Sequence, residues 1–128
     1  EISCSLVGSE MCIRDRTNTT LARPATLLSP NKTESGGLSG RPLRARATEM
    51  LRLVAEASAG RMALISCGGI ESGADVLERI RLGADLVQFY AAFSYEGPAI
   101  LARLKQEMLD RMRADGVETL ADIRGVDL

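Results

Sequence analysis

The stretch Leu64-Ile-Ser-Cys-Gly-Gly-Ile70, continued by Glu71-Ser-Gly-Ala-Asp75, decides the fold class of this chain. An apolar, β-branched run that ends in two glycines before a helix start predicts a buried strand that opens into a loop. A second such run, Ala84-Asp-Leu-Val-Gln-Phe-Tyr90, follows after one helix. Because a helix is too long a connection for a hairpin, the two strands are predicted to be parallel and the fold to be α/β.

Gly68 and Gly69 lie where the first predicted strand ends. Glycine adopts positive φ and has no Cβ, so its backbone N–H groups can approach a ligand closely. Beside a helix N-terminus, such donors suit a phosphate. A plain strand-to-helix turn would use glycine for geometry alone, and from this pair in isolation both interpretations stay open. The second strand end, Phe89-Tyr90-Ala91, favours phosphate, because neighbouring late loops of an (αβ)8 barrel often share such a site.

Composition restricts the classes of function. The 128 residues, enough for one domain or part of one, carry 16 basic and 17 acidic side chains, which gives no indication of a nucleic-acid partner. The chain has no His, the commonest general base and metal ligand. Cys4, Cys12 and Cys67 have neither metal-binding nor disulfide spacing, which predicts no metal site and a reducing, cytoplasmic setting. No apolar run approaches the roughly 20 residues of a membrane span.

Helix and strand boundaries follow from apolar spacing, glycines and caps. The first half of the region 45–123 contains a predicted helix over about 45–59 ended by Gly60, a strand over 62–67, and a helix capped by Ser72 and Asp75 and stopped by Gly83. A strand over 84–90 is predicted next. It is followed by a helix from Gly97-Pro98 to about Ala114 and a short helix from Thr119 to Ile123.

Residues 1–16 do not fit this scheme, since they lack periodicity and hold two of the three cysteines. They resemble the peptide that translated sequencing-adapter DNA gives, so we expect the evolved domain to span 17–128. Thr17-Asn-Thr-Thr20 is typical of a turn or helix cap. Residues 21–43 have no hydrophobic period and predict a loop, and a loop this long is often functional.

Four segments in the family's order and spacing resemble dihydroorotate dehydrogenase. They are Thr17-Asn-Thr-Thr20, Glu34-Ser-Gly-Gly-Leu-Ser-Gly-Arg-Pro-Leu43, Cys67-Gly-Gly-Ile-Glu-Ser-Gly-Ala-Asp75 and Leu86-Val-Gln-Phe-Tyr-Ala-Ala92. The tail, Tyr95-Glu-Gly-Pro98 followed by a long helix, is similar to the class 2, quinone-linked branch. The resemblance implies an FMN-binding (αβ)8 TIM barrel. Because such a barrel takes roughly 250 residues, we expect this chain to be its C-terminal half.

The resemblance also implies a reaction. Dihydroorotate is oxidised to orotate in de novo pyrimidine (UMP) biosynthesis: a base removes a proton from one substrate carbon and FMN accepts hydride from its neighbour. Reduced FMN then passes electrons to a membrane quinone, through an enzyme bound peripherally to the cytoplasmic side of the cell membrane. The family's serine base belongs to an earlier part of the barrel, so no catalytic residue is assigned here. We expect this chain alone to be inactive, and either soluble or aggregated.

Site residues are implied in the same way. Substrate contacts fall on Asn18 and Thr19, and cofactor contacts on Thr17, Gly40, Gly68, Gly69, Tyr90 and Ala91, with the last three at the FMN phosphate. The chain departs from the family pattern at two places. Ser66-Cys67 stands where Gly-Val is expected, and Ala91 stands where a Thr or Ser would add a hydroxyl to the phosphate.

Two alternatives remain at the level of sequence. One is another phosphate-binding TIM-barrel enzyme, such as a different FMN oxidoreductase or a sugar-phosphate isomerase; the Asn18-Thr19 pair and the Gly-Gly-Leu-Ser-Gly-Arg-Pro-Leu43 stretch argue against it. The other is a non-catalytic half-barrel that at most binds a phosphorylated ligand.

Overall fold

The computed structural model describes residues 19–128, and the predicted boundary between 1–16 and 17–128 lies outside them. In this part of the chain, strands β1 (Ile65–Cys67) and β2 (Leu86–Gln88) pair in parallel, with Cys67 opposite Gln88. The predicted parallel arrangement is confirmed. Both strands are shorter than the predicted 62–67 and 84–90, because each has one pairing partner here and the ladder covers only three residues.

Five α-helices lie between 19 and 128, and a 3-10 turn, Arg41–Leu43, leads into the first. They are α1 (Arg44–Ser58), α2 (Gly73–Arg81), α3 (Ala91–Glu96), α4 (Ala99–Ala114) and α5 (Leu120–Ile123). The four predicted helices are present. Helix α3 was not predicted, because its six residues bury only Ala92 and are too few to show a helical period.

The main core lies between α1, α2, the strands and the C-terminal helices. Its buried members are Leu51, Ala55, Leu64, Leu77, Ile80, Leu82, Ala84, Met112 and Ile123. A second cluster joins α3 to α4 through Ala92, Ile100 and Leu104, with Phe89 packed against it. The two clusters fix the helices that follow β1 and β2, and so position the loops at the ends of both strands.

One face of the two-stranded sheet is uncovered among the described residues. Ile65 and Leu86, which pair in register, are 39% and 62% exposed, whereas Ser66 on the opposite face is buried. In residues 19–128, the longest apolar stretch of any helix falls short of what a membrane crossing requires.

Candidate phosphate and cofactor site

The candidate site lies where β1 and β2 end. Because the strands are parallel and in register, the segments that follow them leave the sheet on the same side. Gly68 and Gly69 follow β1 with φ of 106° and 71°, a backbone that L side chains rarely adopt. Tyr90 and Ala91 follow β2, and Ala91 begins α3. The structure thus brings both predicted phosphate loops to one edge.

Gly69 is held against the start of α1. A Cβ at this position would lie 2.6 Å from the Cα of Arg44, and one at Gly68 would lie 3.1 Å from a methyl group of Leu43. No side chain fits between Gly69 and the α1 backbone. Glycine is therefore needed here for close approach of two backbones as well as for its left-handed φ.

Gly40 joins the same edge from the preceding loop. It has φ 77° and ψ −153°, and a Cβ built on it would lie 3.4 Å from the Cβ of Ala91. Arg41 then donates to a carboxylate oxygen of Glu71 at 2.7 Å, which ties this loop to the one after β1. Three predicted cofactor positions, Gly40, Gly69 and Ala91, accordingly surround the ends of β1 and β2.

The segment around Thr20 is paired with the glycine-rich loop. The N–H of Thr20 donates to the carbonyl of Leu38 at 3.1 Å, and the N–H of Leu38 donates back at 2.7 Å. Gly37 packs so closely on Thr19 that a Cβ would overlap its side chain. Thr17 and Asn18 lie outside the described residues. Of the predicted substrate residues, the structure describes Thr19 and places it beside this loop.

Arg23 fixes the loop that the sequence predicted only as irregular. Its guanidinium donates to the carbonyl oxygens of Lys32 at 3.0 Å, Glu34 at 3.0 Å and Gly36 at 2.7 Å. Backbone carbonyls leave no pattern in a sequence, so this role could not be predicted. Arg23 holds the glycine-rich loop in one conformation on its approach to the site.

The N-terminus of α2 is occupied by carboxylates. The N–H groups of Glu71 and Ser72 each donate to Asp75 at 2.9 Å, and the Asp75 N–H donates to the Ser72 hydroxyl, which completes the predicted capping box. The N–H of Gly73 donates to Glu107 of α4 at 2.7 Å. These four N–H groups are therefore satisfied within the protein and are not available to an anion.

Other backbone donors remain at the site. Within residues 19–128, the N–H groups of Gly69 and Tyr90 have no hydrogen-bond acceptor. No side chain caps α3, so its first N–H groups also have no partner within the helix. Tyr90 is 77% exposed. An anion can therefore be held between the turn after β1 and the start of α3, by main-chain donors from both strand ends.

Arg103 of α4 connects the elements around the site. It donates to Glu96 at the end of α3 at 2.7 Å, to Glu107 at 2.7 Å and to the carbonyl of Glu71 at 3.0 Å. Hydrogen bonds to Glu107 and Glu96 raise the pKa of the Arg103 guanidinium. The hydrogen bond from the Gly73 N–H lowers the pKa of Glu107, and the hydrogen bond from Arg103 lowers it further. The Arg103–Glu107 spacing is visible in the sequence, but the contact with Glu71 is not.

A family model described as dihydroorotate dehydrogenase matches residues 9–112. The chain belongs to the dihydroorotate dehydrogenase family. The match begins inside the 1–16 segment, and the proposed domain boundary at residue 17 remains a prediction.

Relatives named dihydroorotate dehydrogenase (quinone) share much of this sequence. The protein from Xanthobacter autotrophicus is 48% identical over 111 residues, which cover 87% of this chain and 31% of the relative. The Thermus thermophilus protein is 50% identical over 107 residues, covering 84% and 30%. The mitochondrial protein from Mus musculus is 42% identical, covering 87% and 28%. The predicted family and its quinone-linked branch are confirmed, and the chain spans less than a third of the length of these relatives.

A solved structure gives the same result for the fold. Ligand-free dihydroorotate dehydrogenase from Eimeria tenella is similar with a TM-score of 0.82 and 42% identity, over 87% of this chain and 31% of that one. The predicted fold class, a part of an α/β TIM barrel, is confirmed. The roles of the individual site residues remain predictions.

Proposed function

We propose that this chain is part of an enzyme that oxidises dihydroorotate to orotate in de novo pyrimidine biosynthesis, with FMN as cofactor and a quinone as electron acceptor. One observation carries the proposal. The main-chain N–H groups of Gly69 and Tyr90 have no acceptor in residues 19–128 and lie just beyond the ends of neighbouring parallel strands, with Gly40 beside Ala91 at the same edge. This is the arrangement that a phosphorylated cofactor needs at the carboxyl ends of barrel strands.

The residues present fit FMN. Gly69, Tyr90 and Ala91 would hold its phosphate through backbone N–H groups, Gly68 forms the turn, and Gly40 would approach the flavin through its backbone. Thr17 is assigned to the cofactor by family resemblance. When bound, FMN supplies the hydride acceptor, and these residues orient it.

Substrate recognition is assigned to Asn18 and Thr19. An asparagine amide offers both a donor and an acceptor to the edge of a pyrimidine ring. Thr19 lies against Gly37 of the glycine-rich loop, so both segments adjoin the cofactor edge. The serine base, the quinone contact and the peripheral attachment to the cytoplasmic side of the cell membrane are assigned to parts of the enzyme other than these 128 residues.

The proposed phosphate site can be tested by comparing the binding of FMN and of riboflavin, which differ only in the phosphate. We expect the chain to bind FMN more tightly than riboflavin when each is titrated by flavin fluorescence. Ala91→Ser should strengthen FMN binding by roughly fivefold, since one added hydrogen bond is worth on the order of 1 kcal/mol. Riboflavin binding should not change.

Ala99→Ser is the matched control, because Ala99 also begins a helix, but one that follows another helix and not a strand. Equal affinity of the unaltered chain for the two flavins would rule out the phosphate site. Supplied with dihydroorotate, FMN and a soluble quinone, the chain alone should form no orotate, as followed by orotate absorbance. Turnover would contradict the placement of the base outside this chain.

A further inference from the structure

Arg79 of α2 is completely buried directly beneath the turn that follows β1. Its guanidinium donates to the carbonyl oxygens of Arg44 at 3.0 Å and Gly68 at 3.2 Å, and it reaches the hydroxyl of Ser66 at 3.4 Å. The first of these acceptors belongs to the start of α1, the second to the turn that follows β1 and the third to β1 itself. The Arg79 side chain therefore ties α2 to the start of α1 and to the turn on the phosphate side of the candidate site.

Arg79 forms no ion pair in residues 19–128, although the nearby carboxylates of Glu78 and Asp75 favour its charge. All three of its acceptors are neutral, and its Nε has no acceptor. Asp75, which is also buried, forms an ion pair with Arg44 instead. Burial lowers the pKa of Arg79 from its ordinary value. A buried cation that no carboxylate contacts directly is costly to a fold, so its position next to a predicted anion site calls for a functional explanation.

The contact with Gly68 also sets the direction of a neighbouring donor. The carbonyl of Gly68 and the N–H of Gly69 belong to one peptide group, which is trans because the described residues contain no cis bond. In a planar trans peptide these two groups point in opposite directions. Since Arg79 holds the carbonyl toward the core, the N–H of Gly69 points away from it, toward the edge where the strands end.

We propose that Arg79 is a positioning residue of the phosphate site: it orients the Gly69 N–H toward the phosphate and supplies the buried positive charge that favours a phosphate dianion. The proposal rests on the proposed function, because it requires that the phosphate of FMN binds at this turn. Arg79 need not touch the phosphate, since a charge in a poorly solvated region acts over several ångströms.

The test compares FMN with riboflavin in three variants of the full 128-residue chain. Arg79→Met removes the charge and the hydrogen bonds but keeps an apolar stem. Arg79→Lys keeps the charge and loses the planar fork. Arg81→Met is the matched control, because it removes an equal charge from the same helix at an exposed position, where Arg81 pairs with Asp127. The measured quantity is the ratio of the riboflavin Kd to the FMN Kd within each variant.

We expect Arg79→Met to lower this ratio roughly tenfold, Arg79→Lys to lower it by less, and Arg81→Met to leave it unchanged. Both flavins bind only the folded form of the chain, so partial unfolding raises both Kd values by the same factor and leaves their ratio unchanged. If Arg79→Met does not fold, as judged by far-UV circular dichroism, the ratio in Arg79→Lys decides the question.

The outcomes separate the two proposals. If the unaltered chain prefers FMN and neither Arg79 variant changes the ratio, the role of Arg79 is overturned while the phosphate site stands. If both flavins weaken equally, Arg79 is a structural residue and the proposal fails. If the unaltered chain does not distinguish FMN from riboflavin, the proposed function fails and this inference fails with it.

Discussion

At the scale of single residues, Gly69 and Gly60 share a left-handed backbone in different surroundings. Their φ angles are 71° and 73°, but a Cβ at Gly69 would lie 2.6 Å from the α1 backbone, whereas one at Gly60 would meet nothing within 4 Å. Gly60→Ala should cost only the left-handed conformation, about 1 kcal/mol. Gly69→Ala should cost roughly 1–3 kcal/mol more, since α1 must move.

Urea denaturation followed by far-UV circular dichroism checks this difference. Gly60→Ala serves as the control for the conformational cost. Equal unfolding midpoints for the two variants would show that the turn after β1 can move away from α1 without cost. Gly69→Ala should also remove the preference for FMN over riboflavin, because the turn would no longer present its N–H in the same place.

Some residues of the site can be predicted from the sequence and others cannot, because only local patterns are visible in a sequence. Gly68 and Gly69 could be predicted because a strand end and a turn are local patterns. Arg79 and Glu107 could not, because their contacts lie far along the chain: Arg79 bonds a carbonyl 35 residues away, and Glu107 a backbone N–H 34 residues away. Predicting such contacts requires knowing how α2 packs on α1 and α4.

At the scale of elements, α4 stabilises the start of α2 through Glu107. Its carboxylate accepts a hydrogen bond from the Gly73 N–H. This bond, and to a lesser extent the hydrogen bond from Arg103, lowers the pKa of Glu107 below the ordinary value of about 4.5. The folded-state pKa is depressed, so the stabilisation is present above the unfolded value and is lost as pH falls through the folded one. The carboxylate is partly exposed, so we expect a modest effect.

Glu107→Gln should therefore lower Tm most at about pH 7, and the difference from the unaltered chain should shrink toward about pH 3. Thermal unfolding followed by circular dichroism across this range measures it. Glu56→Gln is the control, since Glu56 is an exposed α1 carboxylate without an ion pair in the described part of the chain. A Tm difference that does not vary with pH would show that the charge of Glu107 does not contribute to stability.

Element boundaries show the same limit as the residue contacts. The start of α2 was predicted from Ser72 and Asp75, because a capping box is a sequence motif of only four residues. Helix α3 was not predicted, because it is stabilised by packing of Ala92 against Ile100 and Leu104 and its own residues show no helical period. The helices that follow β1 and β2 therefore differ in what fixes them.

At the scale of the whole molecule, the sheet face that is uncovered in residues 19–128 is a surface through which copies of the chain can associate. Ile65 and Leu86 lie side by side on it, and among the described residues each strand has a free edge. Exposed apolar strands with unpaired edges associate readily with other chains. We therefore expect the chain to self-associate through this face.

Leu86→Lys should raise the concentration at which self-association begins, because a charge on the uncovered face must be desolvated when a second copy docks there. Sedimentation velocity over a range of concentrations measures the change. Leu53→Lys is the control: Leu53 is also an exposed leucine, at 48% against 62% for Leu86, but it belongs to α1 and not to the sheet. If both variants shift association equally, general solubility rather than the sheet face governs it. If only Leu86→Lys acts, the two copies meet at the surface formed by β1 and β2.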